Sequence, residues 1–309
     1  IEMSLIYDKQ TYPSLQEYVK IGVQEAEKNK ERLQFAHQID GAILKTLDSL
    51  PVKTAVNKIV ELYVSKQSGI MLSTGITVNP FNYPKLYESL VSCCNTLGIS
   101  VPQVVVSPSM PGINAMATGT DDFSFIAISD MAQALLPEDQ LKFIVGHECG
   151  HIALEHVVFH TIGQFIGSLG TLIPGIGPLL ANVVSLPLNT WSRYSEISAD
   201  RAGFLCCGGD LRVAQKALLR LSGGFSNTDE VDVNQYIEQS LQSLEDHKVG
   251  AVNEYFMNHP LIPKRLKALE LFSRSEMFYR ITNRPYLAND NLLNDNTLND
   301  MVNEVIKVL

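Results

Sequence analysis

Positive charge is scarce in this chain. Lys and Arg number 24 against 33 Asp and Glu, a formal net charge of −9. No basic patch stands out, so nucleic acid is not an expected partner. Charged residues of both signs make up only 18%, while hydrophobic residues reach 45%. That balance excludes a disordered polymer and suits a folded chain of one large domain or two modest ones. Cysteine is sparse and odd in number: Cys93, Cys94, Cys149, Cys206 and Cys207. Four of these are adjacent pairs, and sequence neighbours rarely form an unstrained disulfide. A fully paired secreted framework is therefore excluded and a reduced, cytoplasmic setting expected. The first residues lack a basic segment followed by an apolar core, so no signal peptide is visible. No repeat of solenoid length is present either.

Long uninterrupted apolar runs are missing as well, with one near exception. Between Glu155 and Arg193 no side chain is formally charged, and only His156 and His160 titrate. A spanning helix needs about 20 continuous apolar residues. Here Pro174, Gly175, Gly177 and Pro178 divide the run into two shorter pieces. Two short buried helices are the favoured reading of this insert, at about 157–192. A hairpin touching a membrane through 161–190, giving peripheral attachment, and an apolar flap over a site remain as alternatives.

Periodicity organises what is present. Apolar residues recur at helical spacing from Thr11 to about Lys66, including Leu15, Tyr18, Val19 and Val23, and then Val56, Ile59, Val60 and Tyr63. Residues 1–80 are therefore expected to be a helical region packed on a domain spanning 81–309. After Asn79–Pro84 a helix is expected over 85–97. Short β-rich runs follow at Val101–Val106, Ile113–Thr118 and Phe123–Ser129, which read as a small sheet. Pro137, Glu138 and Asp139 suit a helix's first turn and predict a helix over 137–158. Another is expected over 192–222, ending at Gly223-Gly224, with more near 230–246, 262–273 and 297–308.

The first of these helices carries His147-Glu148-Cys149-Gly150-His151. Residues four apart on a helix lie on one face, so both imidazoles present nitrogen donors together. Such donors suit a borderline-soft ion such as zinc. Glu148, one step round, can touch a metal-bound water without being a ligand and accept its proton. Cys149 points away from that face and reads as packing, while Gly150 permits close approach of another backbone. A catalytic zinc site needs a third protein ligand and an open position. The second helix supplies Arg193, Glu196 and Asp200 on one face. Glu196 completes a set of two histidines and one glutamate for one zinc per chain. Asp200 is placed to accept the outer N–H of a ligand histidine, with Arg193 beside it.

Taken together, His147–His151, Ser-Arg-x-x-Glu-x-x-Ala-Asp over 192–200, Asn114–Gly119, His259-Pro260 and Arg265 resemble the HtpX/CAAX-prenyl-protease family of zinc endopeptidases. The resemblance spans roughly residues 85–275. It implies an α+β, predominantly helical, zincin-like (gluzincin) fold with a small sheet beside the HExxH helix. It also implies that His147, His151 and Glu196 bind zinc and that Glu148 is general base and acid. An edge strand at 114–118 would pair with an extended substrate through Asn114, Ala115 and Met116. A merely structural strand fits the composition nearly as well. His259 is implied either as a removable fourth ligand or as an oxyanion donor; a helix cap or turn is the competing reading. Many members of that family carry transmembrane helices, and this chain resembles the soluble or peripheral ones.

Two functions follow. The leading one is a zinc-dependent endopeptidase acting on protein or peptide through a metal-activated water, with latency and unfolded or membrane-associated substrates in view. The alternative is a zinc-containing, chaperone-like binding module that does not cut. Glu148 separates them, because a structural site has no use for a carboxylate there and normally closes all four positions with protein ligands.

Overall fold

The computed structural model describes residues 34–42, 69–119, 124–161, 177–225, 227–246, 260–287 and 290–307. The helical stripes expected over 11–66 lie largely outside the described residues, as does His259.

Strand β1 (Ile76–Thr77) leads into helix α1 (Pro84–Leu97), whose proline occupies the first turn and whose end is closed by Gly98 at φ 68°. Strands β2 (Gln103–Ser107), β3 (Ala115–Gly119) and β4 (Ser124–Ser129) follow. They form one mixed sheet in the order β1-β2-β4-β3, with β2 parallel to β4 and the other pairings antiparallel. Strands β2 and β4 are buried on both faces, which explains their nearly unbroken apolar sequences. Val104, Val106, Ile126 and Ile128 face the main core, while Val105, Phe125 and Ala127 face a smaller cluster with Met110. Strand β3 is an edge among the described strands, as expected for 114–118.

Helix α2 (Asp130–Leu135), capped by the Ser129 hydroxyl, turns the chain into α3 (Glu138–Ala153). Helix α4 (Gly177–Cys206) crosses α3, and α5 (Leu211–Gly223), α6 (Val233–Asp246), α7 (Ile262–Ser273), α8 (Glu276–Ile281) and α9 (Asp295–Ile306) complete the helical layer. The architecture is α+β and mostly helical, with a small sheet beside the helix that carries His147 and His151. No helix among the described residues is long and apolar enough to cross a membrane.

Two boundaries differ from the sequence expectation. The helix expected over 137–158 stops at Ala153, because Glu155 adopts the left-handed conformation at φ 61° and residues 157–161 start a new helical segment. The helix expected over 192–222 is two helices, α4 and α5. Gly208 and Gly209 take φ values of 77° and 73°, and the Asp210 carboxylate then caps the backbone N–H of Val213. Conversely, α4 begins fifteen residues before the expected start and runs through Pro187, so the second apolar piece of the insert is continuous with the helix bearing Glu196.

Helices α3 and α4 touch through small residues. A Cβ on Gly146 would sit 2.5 Å from the Cys206 Cβ, and one on Gly150 would sit 2.6 Å from the Ala202 Cβ. Gly203 reciprocates: a Cβ there would lie 2.7 Å from the Phe143 carbonyl oxygen. All five cysteines are free thiols. Cys149 is buried beside Cys94, and that hydrogen bond together with burial raises its pKa well above the ordinary thiol value. It is a packing residue on the far side of α3 from the histidines.

The segment 34–42 is stitched to α4. Phe35 is buried in the main core, and its carbonyl accepts from Arg201 Nη1 at 3.0 Å. The backbone N–H of His37 donates to Ser198 Oγ at 3.0 Å. Burial, followed by the charge of Arg201, drives the pKa of His37 from 6.5 down to about 3.

Three outcomes are expected. Gly150→Ala should lower stability by about 1–3 kcal/mol, read as a fall in thermal midpoint, since packed backbone must shift. Gly69→Ala, with nothing within 4 Å of the added Cβ, should be neutral or stabilising. Metal-free protein should also lose the His37 contribution as pH falls from about 6.5 towards 3, because only the unfolded state binds that proton over this window. Denaturant titrations of His37→Asn should therefore show a flatter dependence on pH there, by up to a few kcal/mol.

Candidate metal centre and active site

Helix α3 presents His147 and His151 one turn apart, and α4 presents Glu196 and Asp200 one turn apart, at the crossing that the glycines allow. His147 Nε2 lies 3.1 Å from His151 Nε2. Glu196 Oε2 lies 3.6 Å from His147 Nε2, and Oε1 lies 3.4 Å from His151 Nε2. An ion with tetrahedral bonds of about 2.1 Å requires ligand atoms about 3.4 Å apart. The three donors therefore fit one metal ion, and they form the buried metal-capable group His147, His151 and Glu196.

Proton accounting supports the same fit. His147 Nδ1 lies 3.0 Å from Asp200 Oδ1. An ionised Asp200 can only accept, so His147 carries its proton on Nδ1 and leaves a lone pair on Nε2. Burial alone would lower the pKa of His147, yet the Asp200 hydrogen bond and the Glu196 charge outweigh it and the net shift is upward. Burial does prevail at His151, whose pKa falls to about 4. His151 is thus neutral at ordinary pH and able to donate an electron pair. Two nitrogen lone pairs and a carboxylate aimed at one point repel each other unless a cation stands between them.

Arg265, from α7, fixes both carboxylates. Its Nη2 and Nε donate to the two oxygens of Asp200 at 2.6 and 2.8 Å, and Nη1 meets Glu196 Oε2 at 2.9 Å. Burial would raise the pKa of Asp200, but the Arg265 charge, with hydrogen bonds from Arg265 and His147, holds it below the usual range. Arg265 in turn stays protonated, since the two carboxylates overcome its desolvation. Arg193 lies elsewhere: it is buried on α4 and donates to Thr190 Oγ1 at 3.4 Å. The guanidinium between Glu196 and Asp200 belongs to Arg265, which sequence reading noted only through the family resemblance. No local spacing could have paired residues 65 positions apart.

Glu148 is 4% exposed, and its Oε2 accepts from the backbone N–H of Ala117 at 2.6 Å. That bond ties the carboxylate to strand β3. In the antiparallel register Asn114 exchanges bonds with Ser129 across the sheet, so backbone groups alternate inward and outward along β3. Ala115 and Ala117 turn their amide and carbonyl groups outward, while Asn114 and Met116 turn theirs towards β4. Residues Asn114, Ala115, Met116 and Ala117 all line one cavity of about 530 Å³ with His147, Glu148, His151 and Glu196. Pro260, Leu261, Ile262 and Pro263 form another wall, and Leu221 and Tyr236 a third.

His160 also lines this cavity, with Nε2 at 2.8 Å from Ser195 Oγ. The sequence singled out His160 and His156 only as the titratable residues of an uncharged stretch. Their approach to His151 depends on the break at Glu155, which carries no residue-level signal.

The comparisons agree with this geometry. The Peptidase family M48 description matches residues 82–272. The chain is 24% identical over 261 residues to a plastoglobule-localized metallopeptidase 48 of Arabidopsis thaliana, covering 81% of this chain and 75% of that protein. It is 26% identical to a protease HtpX homolog of Trichormus variabilis, over 70% of this chain and 83% of the relative. Protease HtpX of Pectobacterium atrosepticum is 28% identical over 60% of this chain and 71% of its own length. No solved structure matches. With the motif-bearing helices, strands β2 to β4 and the metal-capable cluster all inside the matched segment, this chain belongs to peptidase family M48, as an HtpX-like metallopeptidase.

Proposed function

We propose that this protein is a zinc-dependent endopeptidase, with one zinc per chain held by His147, His151 and Glu196 and with Glu148 as general base and acid. The observation that carries the reading is the convergence of two imidazole nitrogens and a carboxylate at 3.1 to 3.6 Å, on the wall of a cavity that Glu148 also lines. Zinc is the ion best matched to two imidazoles and one carboxylate with an open fourth position. When bound, it supplies Lewis acidity to a peptide carbonyl and to water.

The chain's own residues supply the rest. Asp200 holds the His147 proton on Nδ1, keeping Nε2 as a donor. Arg265 neutralises charge behind Glu196 and Asp200 and locks both rotamers. Glu148, fixed by the Ala117 amide, takes a proton from the attacking water and returns it to the leaving amine. An extended substrate adds as a strand at the outward edge of β3, pairing with Ala115 and the Ala117 carbonyl while side chains of Asn114 and Met116 bound its path. Residues 81–309 form the catalytic domain in this reading, and the N-terminal region packs on it through Phe35, His37 and Asp40.

Metal analysis beside a casein cleavage assay tests the proposal, using the unmodified protein and Glu148→Gln. Both should hold about one zinc, and the variant should lose at least about 100-fold in kcat/KM. Zinc bound by both with cleavage by neither would favour the non-cutting binding module. Absence of zinc after chelator-free purification would remove the reading altogether. Separately, Arg265→Gln should destabilise metal-free protein by about 3–5 kcal/mol in denaturant titration, since it strands two buried carboxylates.

A further inference from the structure

Behind His151 runs a second line of buried groups that the catalytic reading does not use. His151 Nδ1 lies 3.0 Å from His156 Nδ1. His156 Nε2 lies 3.0 Å from Asp40 Oδ2, and the Trp191 indole N–H donates to Asp40 Oδ1 at 2.9 Å. Asp40, His156 and Trp191 are each 1% exposed. One arrangement of protons satisfies every contact while leaving His151 Nε2 with its lone pair. Asp40 accepts from His156 Nε2–H, His156 Nδ1 then accepts, and His151 Nδ1–H donates to it.

We propose that Asp40 is a positioning residue for the metal site, acting through His156 to fix the tautomer and ring orientation of His151. The inference rests on His151 being a zinc ligand, as in the proposed function. Asp200 does the same for His147 directly, so the two imidazoles are supported differently: one by a carboxylate, the other by a carboxylate relayed through a second imidazole. Outer hydrogen-bond partners of metal-bound histidines raise ligand basicity and are worth about 10- to 100-fold in metal affinity.

The arrangement is built by features remote in sequence. Five residues along an unbroken helix rotate the side chain by about 140°, which would carry position 156 away from 151. The left-handed Glu155 ends α3 and folds the chain back, with the His156 N–H donating to the His151 carbonyl at 2.9 Å. Asp40 arrives from the segment 34–42, whose anchors on α4 are Ser198 and Arg201. It lies well outside the family match, which begins at residue 82. His160 sits beside the same pair, and His151, His156 and His160 form a second group with metal-binding spacing. That alternative requires the Nδ1 proton of His151 to be absent.

The test is zinc affinity of the full chain, measured by competition with a chromophoric chelator, for unmodified protein, Asp40→Asn, His156→Phe and the double variant. Asp40→Asn should weaken zinc by about 10- to 100-fold. The double variant should be no weaker than His156→Phe alone, because Asp40 acts only through that ring. Affinity of Asp40→Asn within about twofold of the unmodified protein, or additive losses in the double variant, would overturn the relay. Nitrogen-15 spectra of the unmodified, metal-free protein decide the case without any variant that fails to fold: His156 should carry its proton on Nε2, and a proton on Nδ1 sinks the idea. Two zinc ions per chain, falling to one in His160→Ala, would assign these imidazoles to a second site instead. If the unmodified protein takes up no zinc while His156 has the expected tautomer, the proposed function fails and the inference falls with it, separately from any fault in the hydrogen bonds.

Discussion

Everything at this site depends on how closely α3 and α4 approach. Gly146 and Gly150, one turn apart on α3, leave room for Ala202, Gly203 and Cys206 on α4. His147 and His151 stand next to those glycines in sequence, and Glu196 and Asp200 stand within a turn or two of the alanine and glycine that receive them. A methyl group at the contact would push the backbones apart. Donor-atom separations now at 3.1 to 3.6 Å would then exceed what one ion could bridge. The small residues are thus a packing device whose consequence is coordination geometry.

Close approach concentrates charge. Glu148, Glu196 and Asp200 are all buried, and Arg265 is the buried cation that bridges two of them. Ionised, three carboxylates against one guanidinium leave two negative charges in a region of low dielectric. Such an excess is costly unless neutralised. A divalent cation would restore the balance, and its binding would then be coupled to folding of this crossing. The neutral state of His151, enforced by burial, belongs to the same balance, since a protonated ring would compete with the ion for the site.

Much of this could be read from residue spacing. Positions four apart on a helix meet, which was enough to group His147 with His151 and Glu196 with Asp200. The β-rich runs and most helix limits followed from periodicity and from Pro and Gly punctuation. What spacing could not reach were contacts between distant segments. Arg265 looks like one more basic residue on a late helix until its three hydrogen-bonding nitrogens meet two carboxylates. Arg193 had the right helical offset, but its guanidinium stays beside Thr190 on its own helix. Helix α4 passes through Pro187, because packing of a 30-residue helix outweighs one lost backbone bond.

The break at Glu155 is the least legible feature and one of the most consequential. A glutamate at φ 61° costs about 1–2 kcal/mol relative to ordinary helix, and nothing in its side chain favours the position. Strain of this kind persists only where surrounding contacts over-determine it. Here those contacts are the His156 amide on the His151 carbonyl, and the buried hydrogen bonds that follow from His156 to Asp40 and Trp191. If α3 continued straight, His156 would turn away, and Asp40 would be a buried carboxylate without its imidazole partner. The bend, segment 34–42 and His151 are therefore one structural unit. Segment 34–42, which precedes the family match, is thereby tied to the same helix crossing that holds Asp200.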